Sequence, residues 1–205
     1  MKTKIYLVRH TQTIGNIEKR LTGRSDYELT KEGSKMVKLL EEKFRNIEIN
    51  AIYSSTSKRT IQTVQPIAEE KGLKIIQDER LCEMYFGIYD GWKWEDVNKV
   101  NPKIHGLHVQ TNEIMQIPKQ ESTQEVANRM YECIKQIAQE NIGKNVLIAS
   151  HGVAIEAFLR KITNIPFVEK REEYSQKNVA INEVIFIQEE DNFKVIQINN
   201  IEHLK

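Results

Sequence analysis

Residues 5–16 read Ile-Tyr-Leu-Val-Arg-His-Thr-Gln-Thr-Ile-Gly-Asn. The first four residues form a short apolar run, which is typical of a strand buried on both faces of a sheet. Arg9 and His10 follow without a spacer, so a permanent cation and an imidazole stand where the strand ends. In an open α/β sheet, ligands bind at the carboxyl ends of parallel strands. The segment therefore predicts a binding site at the end of a central strand.

A charged or titratable residue also follows each later strand signal. These residues are Arg59 after residues 51–53, Glu83 after residues 75–76 and His151 after residues 146–149. If the sheet is mostly parallel, the ends of these strands share one edge. We therefore expect two histidines, two arginines and one carboxyl group in a single crevice.

Helical patterns fill the connections between these strands. Capping signals place helix starts after Thr30, after the serine-rich residues 54–57 and at the capping box that Ser122 begins, and another helix is expected over 153–161. Gly72 and Gly143 are expected to end the second and third helices, and Pro66 is expected to kink or break the second. The tail, with strands around 184–187 and 193–198, reads as a hairpin that closes one edge of the sheet. The pattern indicates an α/β fold.

Composition excludes several classes of function. The 205 residues suit one well-cored domain, and 30 basic against 29 acidic residues give no general affinity for nucleic acid or for a membrane surface. No apolar run is long enough for a secretory signal or a membrane span, so we expect a cytoplasmic protein. Cys82 and Cys133 have no metal-ligand spacing and are expected to be free thiols.

We expect residues 1–205 to form a single domain with a lid-like insertion at about 87–120. This connection is long for a compact domain, and long connections tend to be lids or binding loops. It carries His105 and His108. These two histidines could bind a metal, but no cysteine or carboxylate cluster joins them, which favours solvated side chains on a lid.

Two arginines in one crevice favour an anionic ligand, most naturally a phosphate, whose oxygens match the guanidinium fork. The alternative is a metal site of two histidines and one carboxylate, formed by His10, His151 and Glu83. Arg9 and Arg59 would repel a divalent cation there. We therefore expect neither a metal nor a cofactor, and a small phosphorylated metabolite as the ligand.

With a phosphoryl group bound, His10 is the candidate nucleophile, because nearby arginines lower the imidazole pKa and keep a lone pair available. Charge that builds up on the phosphoryl oxygens could be held by Arg9, Arg59, Asn16 and His151. Glu83 is the carboxyl group expected to give the leaving alkoxide its proton, and the charge of the bound phosphate favours its protonated form. The same carboxylate would then activate water to hydrolyse the phosphohistidine.

These residues resemble the histidine phosphatase superfamily, in the branch that includes cofactor-dependent phosphoglycerate mutase and fructose-2,6-bisphosphatase. Five ordered segments carry the resemblance over nearly the whole chain: residues 7–16, residues 23–33, Ser54-Ser55 with Arg59 and Thr63, Leu81 with Glu83, Gly87 and Gly91, and Ser150-His151-Gly152. The resemblance implies a three-layer α/β/α sandwich, a mostly parallel sheet with an antiparallel edge strand, and a phosphohistidine on His10. It implies proton donation by Glu83 and a binding set of Arg9, Asn16, Thr22, Gly23, Arg59, His151 and Gly152.

Three functions remain open at this point. A metal-independent phosphomonoesterase is favoured over a phosphoglycerate mutase, because a mutase must hold a second phosphate with its own charge partners. Lys93, Lys99 and Lys103 are available, but no arginine occurs between Arg80 and Arg129. The third possibility is a catalytically inactive phosphate-binding module.

The family usually has glycine where this chain has Thr11, beside the expected nucleophile. All the groups expected to carry the chemistry are present, so we expect an active enzyme. Thr11→Gly should lower kcat/KM by no more than about tenfold, the effect of one modest contact. Steady-state hydrolysis of a chromogenic phosphate ester measures this, and a larger loss would mean that the Thr11 side chain takes a direct part in turnover.

Overall fold

The computed structural model describes residues 1–102, 117–167, 169 and 171–205, with only the backbone of Arg171. The strands in these residues are β1 (Lys2–Arg9), β2 (Ala51–Ser54), β3 (Ile75–Gln77), β4 (Asn145–Ser150), β5 (Ile181–Ile187) and β6 (Asn192–Asn200). The helices are α1 (Ile14–Ile17), α2 (Lys31–Phe44), α3 (Lys58–Lys71), α4 (Trp94–Val100), α5 (Thr123–Glu140), α6 (Gly152–Thr163) and α7 (Arg171–Tyr174).

The strands form one mixed sheet in the order β3-β2-β4-β1-β5-β6. The first four strands run parallel to one another, and β5 runs antiparallel to β1 and pairs with β6 in the expected edge hairpin. In the central pair, Ile5 lies opposite Val146 and Arg9 lies opposite Ser150. The carboxyl ends of β1 and β4 therefore lie side by side, and they carry His10 and His151.

Helices cover both faces of the sheet, which confirms the three-layer α/β/α architecture. On β1, Ile5 and Leu7 belong to the core beneath α5 and α6. Tyr6 and Val8 belong to the opposite core, beneath α2 and α3. This alternation follows from the two-residue period of a strand, and it explains why the first apolar run is continuous: both faces of β1 are buried.

The expected helix caps are confirmed at three positions. The Thr30 hydroxyl accepts a hydrogen bond from Gly33 N, and Ser122 forms a reciprocal capping box with Glu125. Gly72 ends α3 in the left-handed conformation, with φ of 63°. Groups at a helix end have no partner within the helix, and these caps give some of them a hydrogen bond. Each cap therefore fixes the residue at which its helix begins or ends.

Two helix expectations differ from the structure. A kink or a break was expected at Pro66. The expected break is wrong, because α3 continues through this residue. The proline removes a donor to the carbonyl of Gln62, and Gln62 lies on the exposed side, where water can bond that carbonyl. In addition, α5 ends at Glu140, before Gly143, which lies in the following turn with φ of 81°.

Of the expected insertion at 87–120, the described residues contain a 3-10 turn at Gly87–Tyr89 and α4. Its role as a lid stays a prediction. Lys103, His105 and His108 lie outside the described residues. Cys82 and Cys133 are buried free thiols, as expected. In the part of the chain that the structure describes, no helix has the length and apolarity needed to cross a membrane.

Candidate active site

The structure brings His10, Arg59, Glu83 and His151 to the same edge of the sheet. His10 follows β1 and donates its backbone N–H to the Ser150 carbonyl at the end of β4, over 2.9 Å. The rings of His10 and His151 lie 5.3 Å apart, centroid to centroid. Arg59 is in the first turn of α3, and Glu83 follows a 3-10 turn after β3. The expected convergence of strand ends is therefore present.

His10 is buried, and its ring orientation is fixed by one hydrogen bond. Its Nδ1 lies 2.7 Å from the Thr11 carbonyl oxygen. Because a carbonyl oxygen only accepts, Nδ1 must carry a proton, and in the neutral ring Nε2 then keeps its lone pair. Burial lowers the His10 pKa well below its ordinary value, and the charges of Arg59 and Arg9 lower it further. Both effects keep an available lone pair on Nε2.

His151 has the opposite tautomer. Its Nδ1 accepts a hydrogen bond from Nη2 of Arg59 over 3.1 Å, and Nε of Arg59 lies 3.3 Å away. A guanidinium cannot accept a proton, so the neutral ring carries its hydrogen on Nε2 and donates it to Ser55 Oγ, 2.7 Å away. Burial lowers the His151 pKa well below its ordinary value, and Arg59 adds to this shift. His151 is thus a neutral imidazole with both nitrogens bonded.

Arg59 is fully buried, and its nitrogens all bond to protein acceptors. Nη1 donates to the Ser25 carbonyl and to the Asp26 carboxylate, at 2.8 and 2.9 Å. Nη2 donates to the carbonyls of Thr22 and Gly23, at 3.2 and 3.0 Å. Arg59 therefore ties residues 22–26 to His151, and its expected direct contact with a phosphate stays a prediction.

The Glu83 carboxylate caps the amino terminus of α6. Oε1 accepts hydrogen bonds of 2.9 Å from the backbone N–H groups of Met84 and Ala154, and Oε2 accepts one of 3.1 Å from Val153. The bonds from Val153 and Ala154 use N–H groups of the first turn of α6, which have no partner inside the helix, and the negative charge meets the positive end of the helix dipole. Glu83 is thereby held in one position at the edge of the site.

Arg9 points into the same region from the end of β1. Its Nη1 donates to the Gln176 carbonyl over 2.6 Å, while its buried Nε has no hydrogen-bond partner among the described residues. A Cβ placed on Gly152 would lie 3.4 Å from Arg9 Nε and 3.7 Å from Glu83 Oε2. Because glycine has no Cβ, a gap remains there between a cation and a carboxylate.

A cavity of about 380 Å³ opens over this gap. Five residues of the predicted site line it, namely Arg9, Asn16, Thr22, Glu83 and Gly152. His10, Arg59 and His151 are not among the lining residues, although each is a chain neighbour or a hydrogen-bond partner of one that is. Gly23 is needed for packing, since a Cβ there would lie 2.2 Å from Asp90 Oδ2.

Asn16 is oriented by the start of α1. Its Oδ1 accepts hydrogen bonds from the backbone N–H and the hydroxyl of Thr13, at 3.0 and 3.2 Å. The side-chain amide of Asn178 also donates to this oxygen over 3.3 Å. The acceptor end of the Asn16 amide is therefore held by protein, which leaves its donor end for a ligand in the cavity.

Thr11 fits its position without backbone strain. It is not among the residues with positive φ, so the conformation does not require glycine. Its hydroxyl donates to the Gly33 carbonyl over 2.7 Å, and its backbone N–H donates to the Thr63 hydroxyl over 2.9 Å. The Thr11 side chain thus links the site to α2 and its backbone N–H links the site to α3, and Thr11 is not among the residues that line the cavity.

Sequence reasoning missed several residues that support the site. Gln176 accepts from Arg9, and Arg129 on α5 donates to the backbone carbonyls of Arg80, Cys82 and Glu83. Arg20, Glu156 and Ser175 also line the cavity. No sequence signal marks these contacts, since they depend on packing between elements far apart in the chain. Among the described residues, no cluster of three or more histidine, cysteine or acidic side chains is arranged to hold a metal.

Comparison with known proteins adds a family to this geometry. The sequence model of the histidine phosphatase superfamily (branch 1) matches residues 5–201. A probable phosphoglycerate mutase GpmB from Yersinia pestis (strain Pestoides F) is 31% identical over 163 residues, which cover 80% of this chain and 76% of that protein.

Solved structures share the fold over almost the whole chain. YhfR of Bacillus stearothermophilus superposes with a TM-score of 0.93 at 25% identity, covering 99% of this chain and 100% of that one. A phosphoserine phosphatase from Entamoeba histolytica, in complex with 3-phosphoglyceric acid, superposes with a TM-score of 0.83 at 22% identity, covering 99% and 100%. The second of these likenesses concerns the fold alone.

The lowered pKa values of His10 and His151 predict a pH-dependent stability. Below about pH 6.5 the unfolded chain binds protons on these imidazoles while the folded chain does not, so acid favours unfolding. The free energy of unfolding should fall by up to about 1.4 kcal/mol per pH unit and per histidine, from about pH 6.5 down to the folded-state pKa. Urea unfolding of wild type, His10→Asn and His151→Asn between pH 7.5 and 5 measures this. The free energy of unfolding of each variant should depend less steeply on pH than that of wild type. Curves of the variants that run parallel to the wild-type curve would contradict the prediction.

Proposed function

The chain belongs to branch 1 of the histidine phosphatase superfamily, and we propose that within it the protein is a metal-independent phosphomonoesterase. It would hydrolyse a small phosphorylated metabolite through a phosphohistidine on His10. The single observation that carries the proposal is the gap at Gly152, beside which lie the Glu83 carboxylate and the Nε of Arg9, which has no hydrogen-bond partner among the described residues. A phosphate oxygen in this gap would supply the acceptor that Arg9 Nε lacks.

In the first half-reaction, the lone pair on His10 Nε2 attacks phosphorus and the bond from phosphorus to the ester oxygen breaks. The tautomer supports this step, because Nδ1 donates to the Thr11 carbonyl and Nε2 stays unprotonated. Glu83 gives its proton to the departing oxygen, so that an alcohol leaves in place of an alkoxide.

In the second half-reaction, water attacks the phosphohistidine. The Glu83 carboxylate takes a proton from the water, the new bond from oxygen to phosphorus forms, and the bond from His10 to phosphorus breaks. Inorganic phosphate leaves and Glu83 is protonated again, which restores the starting state. The charge on the transferred group is balanced by Arg9, so the protein supplies the positive charge itself.

Arg59 and His151 take a supporting role in this proposal. Both are fully buried. The His151 ring is fixed by Ser55, and the Arg59 guanidinium is fixed by Asp26 and the carbonyls of Thr22, Gly23 and Ser25. Arg59 lowers the pKa of His10 from this position. Direct contact of either side chain with the phosphate would require it to exchange one of these bonds.

A second candidate function is a phosphoglycerate mutase, which the 31% identity to the probable mutase GpmB favours. A mutase holds a substrate with two phosphates, and each phosphate needs cationic partners. The cations that line the described part of the cavity are Arg9 and Arg20, and Arg20 is already paired with Glu18. Lys93 and Lys99 do not line the cavity. This charge balance supports phosphate release over phosphate transfer.

One experiment tests the proposal against both alternatives. The purified protein is incubated with 3-phosphoglycerate, with and without 2,3-bisphosphoglycerate, and with a chromogenic phosphate ester, and phosphate release and isomerisation are both followed. We expect phosphate release to dominate, an acid-labile phosphoenzyme in wild type, and neither in His10→Ala. Dominant isomerisation would favour the mutase, and the absence of both turnover and labelling would favour an inactive binding module.

The role of Glu83 predicts a dependence on the leaving group. With an alkyl phosphate, whose alkoxide needs a proton, Glu83→Gln should lower kcat/KM by about 10²-fold or more. With p-nitrophenyl phosphate, whose phenolate leaves unprotonated, the loss in kcat/KM should be at least tenfold smaller, since kcat/KM reports the first half-reaction. Glutamine preserves the size of the side chain and an acceptor for the α6 N–H groups. Equal losses for both esters would contradict proton donation by Glu83.

A further inference from the structure

We propose that Glu156 is a specificity-determining residue, which selects phosphate esters carrying a hydroxyl or ammonium group near the phosphate and disfavours a second anionic group. The inference rests on the proposed phosphomonoesterase function and concerns its substrate class. Glu156 is on α6, four residues after Gly152, and residues at this spacing lie on one face of a helix. Both residues line the same cavity.

Glu156 is fixed in place by Arg160. The Nε of Arg160 donates to Oε1 of Glu156 over 2.9 Å, and the Arg160 side chain is only 2% exposed. A long side chain that is held in one conformation loses little further entropy when its partner binds a ligand. The Glu156 carboxylate is thus a preorganised group in the cavity wall.

The surroundings of Arg160 explain its rigidity. Its Nη1 donates to the carbonyls of Pro166 and Glu169, and its guanidinium lies 5.0 Å from the ring centroid of Phe167 and 4.6 Å from that of Tyr174. These contacts anchor Arg160 from the side away from Glu156. A purely structural role for the pair would be to hold residues 166–169 against α6, and the experiment below separates that role from substrate recognition.

The position of Glu156 sets the chemistry and the size of the group it can bind. Four residues of helix rise about 6 Å, so the backbone of Glu156 lies about that far along the helix axis from Gly152. A group two or three atoms beyond the ester oxygen reaches this distance. A carboxylate accepts hydrogen bonds and attracts a cation, so a hydroxyl or ammonium fits there. A carboxylate or second phosphate at the same place would have no hydrogen to donate to Glu156, and the Glu156 charge, although paired with Arg160, would disfavour it.

A size-matched series of esters tests the proposal: 2-aminoethyl phosphate, 2-hydroxyethyl phosphate, ethyl phosphate and phosphoglycolate. In wild type, kcat/KM should be highest for the amino and hydroxy esters and lowest for phosphoglycolate. Glu156→Gln should lower kcat/KM for 2-aminoethyl phosphate by about tenfold through KM, raise it for phosphoglycolate, and change ethyl phosphate by less than about twofold. Glutamine keeps an acceptor for Arg160, so the anchored geometry is retained.

Glu42→Gln is the matched control, because it makes the same chemical change on the exposed surface of α2, away from the cavity. It should leave all four values unchanged. Equal changes in kcat/KM for all four esters in Glu156→Gln would show a structural role only and overturn the inference. A higher kcat/KM of wild type for phosphoglycolate than for the amino and hydroxy esters would also overturn the inference, and this measurement needs no variant. If wild type releases no phosphate from any ester, the proposed function itself fails.

Discussion

The buried guanidinium of Arg59 is the constraint on which the site depends. A charge with no exposure to water is tolerated only when its hydrogen bonds are made and its charge is balanced, and here carbonyls, the Asp26 carboxylate and the His151 ring do both. These partners come from two separate parts of the chain, residues 22–26 and the end of β4, while Arg59 itself is at the start of α3. Burying one cation therefore fixes the relative positions of the segments that surround His10.

Burial is the larger cause of the low pKa of both histidines, and the same cation adds to it. Its Nη2 donates a hydrogen bond to Nδ1 of His151, and its charge lowers the pKa of His10. In the proposed reaction this matters because a protonated imidazole cannot attack phosphorus. A permanent charge, which never titrates in the physiological range, thus keeps a titratable group in its reactive form. In the proposed reaction, Arg59 supplies the permanent charge and His10 supplies the lone pair, which is consistent with the burial of both side chains in the same region.

The sequence predicted the positions of the functional side chains well, because these depend on where strands end. Four strand signals followed by polar residues were enough to predict that His10, Arg59, Glu83 and His151 share an edge, and helix caps at Thr30 and Ser122 could be read from residue type. What these side chains bond to could not be predicted. The cap that Glu83 provides for α6 joins residues about 70 positions apart. Pro66 was misread as a possible helix break because solvent exposure at Gln62, which makes the missing hydrogen bond tolerable, is a property of the folded chain.

The attachment of Glu83 to the first turn of α6 has a mechanical consequence. A carboxylate that accepts two N–H bonds from the first turn of a helix stabilises that helix end, and a protonated acid does so less well because it has lost the charge that the dipole favours. In the proposed cycle the proton moves on and off this group at every turnover. Fraying at the beginning of α6 would therefore rise and fall in step with the chemistry, and the helix that carries Gly152 would loosen whenever Glu83 holds its proton.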